Sequence, residues 1–95
     1  MIKQIDDATL EKWANFFKAL AHPVRLRIIL TLIEKGEACV KSMCEILETS
    51  QSNISQHISI LKNANIIKCQ KRGMLHCYRI NDERIAEILK IIKEG

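Results

Sequence analysis

The chain has 95 residues, 47% hydrophobic but only 4% aromatic, with a formal net charge of +4 and a pI near 9.0. A chain of this length is expected to make one domain, residues 1–95, and to bury only about 60 to 65 per cent of its unfolded surface, so self-association would add to its stability. No apolar run reaches signal-peptide or membrane length, which leaves a cytoplasmic protein without a membrane partner as the expectation, and the basic balance suits a polyanion.

Trp13, Phe16, Phe17 and Leu20 mark the buried stripe of a first helix beginning near Asp7 or Thr9. Pro23 belongs in the first turn of a second helix, with Arg25 and Arg27 outward, Leu26, Ile29, Leu30 and Ile33 largely inward, and Gly36 at its end. Val40, Met43, Ile46 and Leu47 give a short amphipathic third helix. Glu48, Thr49 and Ser50 then leave about three residues of turn, the connection that a helix-turn-helix needs.

Ser50 is a good N-cap for the fourth helix, in which Ile54, Ile58 and Leu61 recur at spacings of four and three as the buried stripe. The opposite side carries Gln51, Ser52, Asn53, Ser55, Gln56 and Ser59, polar but uncharged. An ordinary solvated helix face alternates Lys with Glu, whereas short amides and hydroxyls can donate to and accept from base edges. The pattern predicts a recognition helix whose DNA-facing residues are Ser50, Gln51, Ser52, Asn53, Ser55, Gln56, His57 and Ser59. His57, one step from the buried stripe, is expected to pack or to touch phosphate. The alternative is a tight helical hairpin whose polar face is merely wet.

Beyond Leu61 the apolar period changes to two, and Ile66–Gln70 and Leu75–Ile80 read as strands. Lys71, Arg72, Gly73 and Met74 stand between them, with the glycine free to take a positive φ in a tight turn. A hairpin with a basic tip directly after a helix-turn-helix is a wing, and Lys68, Lys71, Arg72 and Arg79 would neutralise phosphates from it. A hairpin that caps the core with solvated charges is the other reading. Cys69 and Cys77 share a sheet face if the loop has an odd number of residues and lie on opposite faces if it has two. Asn81 can cap a final helix, Asp82 and Glu83 favour its positive end, and Ile85, Ile88, Leu89 and Ile92 form its apolar stripe.

With these elements in order, the chain resembles the ArsR/SmtB family of winged-helix repressors. The matching stretches are Phe16 through His22, Pro23 and on to Ile29, then Glu37-Ala38-Cys39-Val40, then Ser50 through His57, and finally Tyr78-Arg79-Ile80. They cover nearly the whole chain in the family's order. The resemblance implies a mainly α fold with a small β-hairpin: a winged helix-turn-helix of about five helices and a two-stranded wing. It also implies a homodimer joined through the first and last helices, and an inverted-repeat operator in double-stranded DNA that is released when an inducer binds or a thiol is modified. No glycine-rich phosphate loop and no Ser, His and Asp at nucleophile-and-base spacing accompany it, so no enzyme is expected.

The four cysteines are the clue to what is sensed. In a cytosolic chain they read as reduced ligands, sensors or core residues before they read as disulfides. Arsenic- and metal-sensing relatives begin the third helix Glu-Leu-Cys-Val-Cys-Asp-Leu-Cys, where this chain has Glu37-Ala38-Cys39-Val40-Lys41-Ser42-Met43-Cys44. The resemblance thus marks Cys39 and Cys44 as metal ligands, with Lys41 in place of the middle thiol. On a regular helix those two cysteines point about 140° apart, so they share a ligand only if the helix starts after Cys39 or is distorted there. The last helix has no histidine, which argues against the interfacial zinc site of zinc-sensing relatives. The readings open for the thiols are As(III) or another thiophilic metal ion as inducer, a redox or persulfide switch, and packing without a sensory role. A winged helix used for protein contacts or for sequence-independent nucleic-acid binding is the alternative function.

Overall fold

The structure, a computed structural model, describes residues 4–95. Its elements run α1 (Asp7–Leu20), α2 (Pro23–Lys35), β1 (Ala38–Cys39), α3 (Val40–Leu47), α4 (Gln51–Asn63), β2 (Ile67–Arg72), β3 (Leu75–Ile80) and α5 (Arg84–Glu94). The five helices and the hairpin follow the expected order, but the sheet has three strands instead of two. β1 pairs antiparallel with β3, Ala38 opposite Tyr78 and Cys39 opposite Cys77, so that β3 is central in the order β1-β3-β2. A strand of two residues shows no alternation, and it owes its place to the partner strand.

Local chemistry sets the helix ends. The Asp6 carboxylate accepts the Thr9 amide at 2.8 Å and starts α1, and the His22 ring accepts the Val24 amide at 3.1 Å with Pro23 behind it as the first residue of α2. Gly36 ends α2 at φ +82°, donating its amide to Leu32 O at 2.8 Å. Glu48 takes the left-handed conformation at φ +53° after α3, and the chain then turns through Thr49 into Ser50, whose hydroxyl accepts the Asn53 amide at 3.1 Å. The three-residue turn and the Ser50 cap are those expected.

The core gathers Ile28, Ile29 and Leu32 of α2, Met43 of α3, Ile54, Ile58 and Leu61 of α4, Ile66, Ile67 and Tyr78 around the sheet, and Ile85 of α5. Four expectations change here. The inward residues of α2 are Ile28, Ile29 and Leu32, while Leu30 and Ile33 are 52% and 37% exposed, because the sheet and the helix-turn-helix cover only one side of that helix. Along α1, Ala19 and Leu20 are buried and Phe16 half-buried, but Trp13 and Phe17 are 45% and 57% exposed. On α5 the stripe is buried only at Ile85; Ile88 and Leu89 are half-buried and Ile92 is exposed. Asn81 does not cap this helix. Its amide donates to Asn65 O, and the Asp82 carboxylate accepts the Arg84 amide instead.

Candidate nucleic-acid interface

Burial of Ile54, Ile58 and Leu61 fixes which side of α4 faces out. Gln51, Ser52, Ser55, Gln56 and Ser59 stand exposed on it, and Ser50, also exposed, is occupied as the cap. Asn53 is half-buried, and its Nδ2 donates to Thr49 Oγ1 at 3.0 Å, so this amide is turned back onto the helix-turn-helix connection.

His57 is half-buried too and is engaged from within the protein. Arg25 Nη1 lies 3.0 Å from His57 Nδ1, and the His22 and His57 rings lie 4.4 Å apart, tilted by 43°. A guanidinium can only donate, so His57 Nδ1 is the acceptor and its ring is neutral, with the proton on Nε2. Burial lowers the His57 pKa below its ordinary 6.5, and the charges of His22 and Arg25 push it the same way. Arg25, expected to face solvent, is half-buried and also donates from Nε to Ala19 O at 2.6 Å. One side chain thereby ties the end of α1 and the start of α2 to α4. Sequence reasoning missed this group because the partners lie 32 residues apart.

The wing turns at Gly73 and Met74, with Arg72 opposite Leu75 and Gly73 at φ +63°. Positive φ at the first of two loop residues is what a type II′ hairpin turn requires. The even loop places Cys69, opposite Tyr78, and Cys77, opposite Gln70, on opposite faces of the sheet. Lys68 and Arg79 are direct cross-strand partners and both are exposed, as is Lys71 opposite His76. Two like charges face to face oppose each other, so an anion between them would be favoured. Among the described residues no carboxylate stands at ion-pair distance from Lys68, Lys71 or Arg79. Arg72 differs. Its Nε and Nη2 each donate at 3.0 Å to the Glu37 carboxylate, which this guanidinium holds below the usual carboxylate range.

The cysteines are arranged otherwise than as separate thiols. α3 does begin after Cys39, the condition under which Cys39 and Cys44 can approach, yet Cys39 is joined by a disulfide to Cys77. Cys44 is a half-buried free thiol and Cys69 an exposed one. Among the described residues no three His, Cys, Asp or Glu side chains cluster at metal-ligand spacing. Cys39 and Cys44 nevertheless line one groove of about 650 Å³ together with Gln51 and Ser55 of α4 and His76 of the wing.

Comparison with known proteins agrees with this geometry. Residues 22–68, from the start of α2 into the wing, match the model for the bacterial regulatory protein, arsR family. An uncharacterized HTH-type transcriptional regulator of Methanocaldococcus jannaschii is 43% identical over 84 residues, covering 88% of this chain and 94% of the relative. The arsenical resistance operon repressor of Bacillus subtilis is 40% identical over 80 residues, 84% of this chain and 76% of that protein. The solution structure of a homodimeric winged helix-turn-helix DNA-binding domain from Mycobacterium bovis superposes with a TM-score of 0.83 at 26% identity, covering 94% of this chain and 84% of that one. With the helix-turn-helix, the wing and near full-length relatives all in agreement, the chain belongs to the arsR family of winged helix-turn-helix regulatory proteins.

Proposed function

We propose that this chain is a single-domain, homodimeric DNA-binding repressor acting in the cytoplasm, which reads an inverted-repeat operator with α4 and is released by a thiol-directed inducer. The observation that carries the reading is the exposed side of α4, where Gln51, Ser52, Ser55, Gln56 and Ser59 stand free of the core without one charged side chain among them. Such a surface suits base edges in the major groove, while the facing Lys68 and Arg79, with Lys71, supply phosphate neutralisation beside it. Two-fold pairing of such helices gives half-sites about one helical turn apart. Among the described residues no helix is long and apolar enough to cross a membrane, consistent with a cytoplasmic site of action.

The thiol-directed part rests on Cys39, which lines the groove that also holds Gln51, Ser55 and Cys44. The Bacillus subtilis relative is named for arsenical resistance, and As(III) or another thiophilic ion at Cys44 and at Cys39, once the Cys39–Cys77 bond is reduced, is the inducer that this likeness favours. The test is fluorescence anisotropy with the DNA upstream of the protein's own gene against random duplex, with and without As(III). Preference for the upstream DNA that weakens with As(III) supports the reading; equal affinity for both duplexes refutes sequence-specific repression.

A further inference from the structure

We propose that Cys39 and Cys77 form a reversible dithiol–disulfide modification site, oxidised by a low-molecular-weight disulfide, that sets operator affinity by stapling the start of α3 to the central strand of the sheet. The proposal rests on the repressor reading above and names the thiol chemistry behind release.

Three observations place the reaction there. Cys39 and Cys77 are direct cross-strand partners, and their sulfurs are bonded in the structure. Cys39 is at once the last residue of β1 and the N-cap of α3, with no side chain capping that helix, so the bond acts on the helix without an intervening residue. The two cysteines are 38 residues apart in sequence, and the loop they close contains α3, α4, β2 and the tip of the wing. In the dithiol form β1 is held only by a two-residue pairing, and the wing can shift relative to α4 as both dock on one duplex. In the disulfide form that adjustment is removed.

Access decides the order of events. Cys39 is half-buried and lines the open groove, whereas Cys77 is completely buried, so a reagent meets Cys39 first. The Cys39 thiolate attacks the disulfide RSSR, forming a mixed disulfide and expelling one RS⁻, which takes up the proton Cys39 had lost. Cys77 then gives up its proton and attacks the Cys39 sulfur, expelling the second thiolate, which that proton neutralises. The protein loses two electrons and two protons, and RSSR becomes two RSH. A reducing cytoplasm keeps the dithiol until the pool is oxidised. Cys69 lies on the opposite sheet face from Cys77, and Cys44 is a free thiol on α3 without a cross-strand position, so neither is the natural partner.

The test uses the full chain, reduced with dithiothreitol or treated with oxidised glutathione. Disulfides are mapped by peptide mass spectrometry, and affinity is read by anisotropy on upstream and random duplexes. The expected results are a Cys39–Cys77 linkage and an upstream-DNA affinity about 5- to 150-fold weaker in the oxidised protein. Cys69→Ser should respond in the same way, and Cys39→Ser, checked for folding by circular dichroism, should show one affinity under both treatments. Cys77→Ala, checked for folding by circular dichroism, should behave like Cys39→Ser. A linkage through Cys44 or Cys69, or a Cys39–Cys77 linkage with unchanged affinity, overturns the proposal while reduced protein that still prefers upstream DNA leaves the repressor reading standing. Release by As(III) but not by oxidised glutathione overturns it in the same way. Reduced protein with no preference for upstream DNA fails the repressor reading itself, and the proposal with it.

Discussion

Arg25 Nη1 donates to His57 Nδ1 across 3.0 Å, joining the start of α2 to the middle of the proposed recognition helix. His57 thus has its Nδ1 committed to the protein interior, and only its Nε2 side is left for a phosphate. The same bond is compatible only with a neutral ring.

A pH dependence follows for the folded protein. The native His57 pKa is lowered from 6.5, chiefly by burial, so the native state binds fewer protons than the unfolded chain in the interval below 6.5. The corresponding stability is present in full above 6.5 and is lost as pH falls through the lowered native value. Thermal unfolding followed from about pH 8 to about pH 5 should show the midpoint falling on the acid side, and His57→Gln should flatten that fall. Identical pH profiles for both proteins would remove His57 as the titrating group.

Base reading should be separable from phosphate binding on α4. Gln56 is exposed and uncharged, so Gln56→Ala is expected to cost roughly 1 to 3 kcal/mol on the operator and little on random duplex. Anisotropy titrations on the two duplexes decide the matter; an equal loss on both means that the residue reads no base.

The Glu37 carboxylate occupies the guanidinium of Arg72, so this cation is not free for phosphate as Lys68, Lys71 and Arg79 are. Glu37→Gln should release it. Affinity for any duplex should rise at low salt, and the slope of log K against log salt should steepen by up to about one unit. An unchanged slope would place Arg72 off the DNA in both proteins.

Trp13 and Phe17 on α1 and Ile91 and Ile92 on α5 are exposed apolar side chains, and the proposed dimer is what would cover them. Because Phe17 is 57% exposed in the single chain, Phe17→Glu should fold normally. Losing a buried Phe contact at about 1.5 to 3 kcal/mol from each protomer should weaken the dimer at least about a hundredfold, which sedimentation velocity across a concentration series measures. An unaltered dimer would move the interface elsewhere.

Features written in neighbouring residues were legible in the sequence. Ser50 and Gly36 act through amides within four residues, and the glycine of the wing meets a purely local demand for positive φ. The polar side of α4 was readable for the same reason, since Ile54, Ile58 and Leu61 alone orient it. What depended on distant partners was not. Arg72 looks like a phosphate contact until Glu37 is seen beside it, and Arg25 like a surface cation until His57 arrives across the fold. Asn53 is the local exception: its partner Thr49 is only four residues away, yet an exposed amide pattern does not say which way the side chain turns. The stripes of α1 and α5 were correctly apolar, but periodicity shows that a face is apolar and not what covers it. Asn81 suits a helix cap in the sequence, but its side-chain nitrogen donates to the Asn65 carbonyl 16 residues away, and the Arg84 amide is accepted by the Asp82 carboxylate. β1 exists only because β3 offers it a partner, so the meeting of Cys39 with Cys77 could not be read from either alone.

The strand order β1-β3-β2 leaves β2 as an outer strand, with a row of main-chain donors and acceptors that another chain could extend. That strand carries Lys68, Lys71 and Arg72 in its six residues, and charge on an outer strand is a common defence against edge-to-edge aggregation. The cations proposed to meet phosphate therefore also keep the free protein from polymerising through its own sheet. Replacing Lys68 and Lys71 by alanine would weaken both properties at once, and DNA binding would fall partly because soluble protein is withdrawn into assemblies. Glutamine, polar and uncharged, would expose the strand just as readily; only a substitution that retains charge, such as glutamate, removes the attraction for phosphate while keeping the edge guarded.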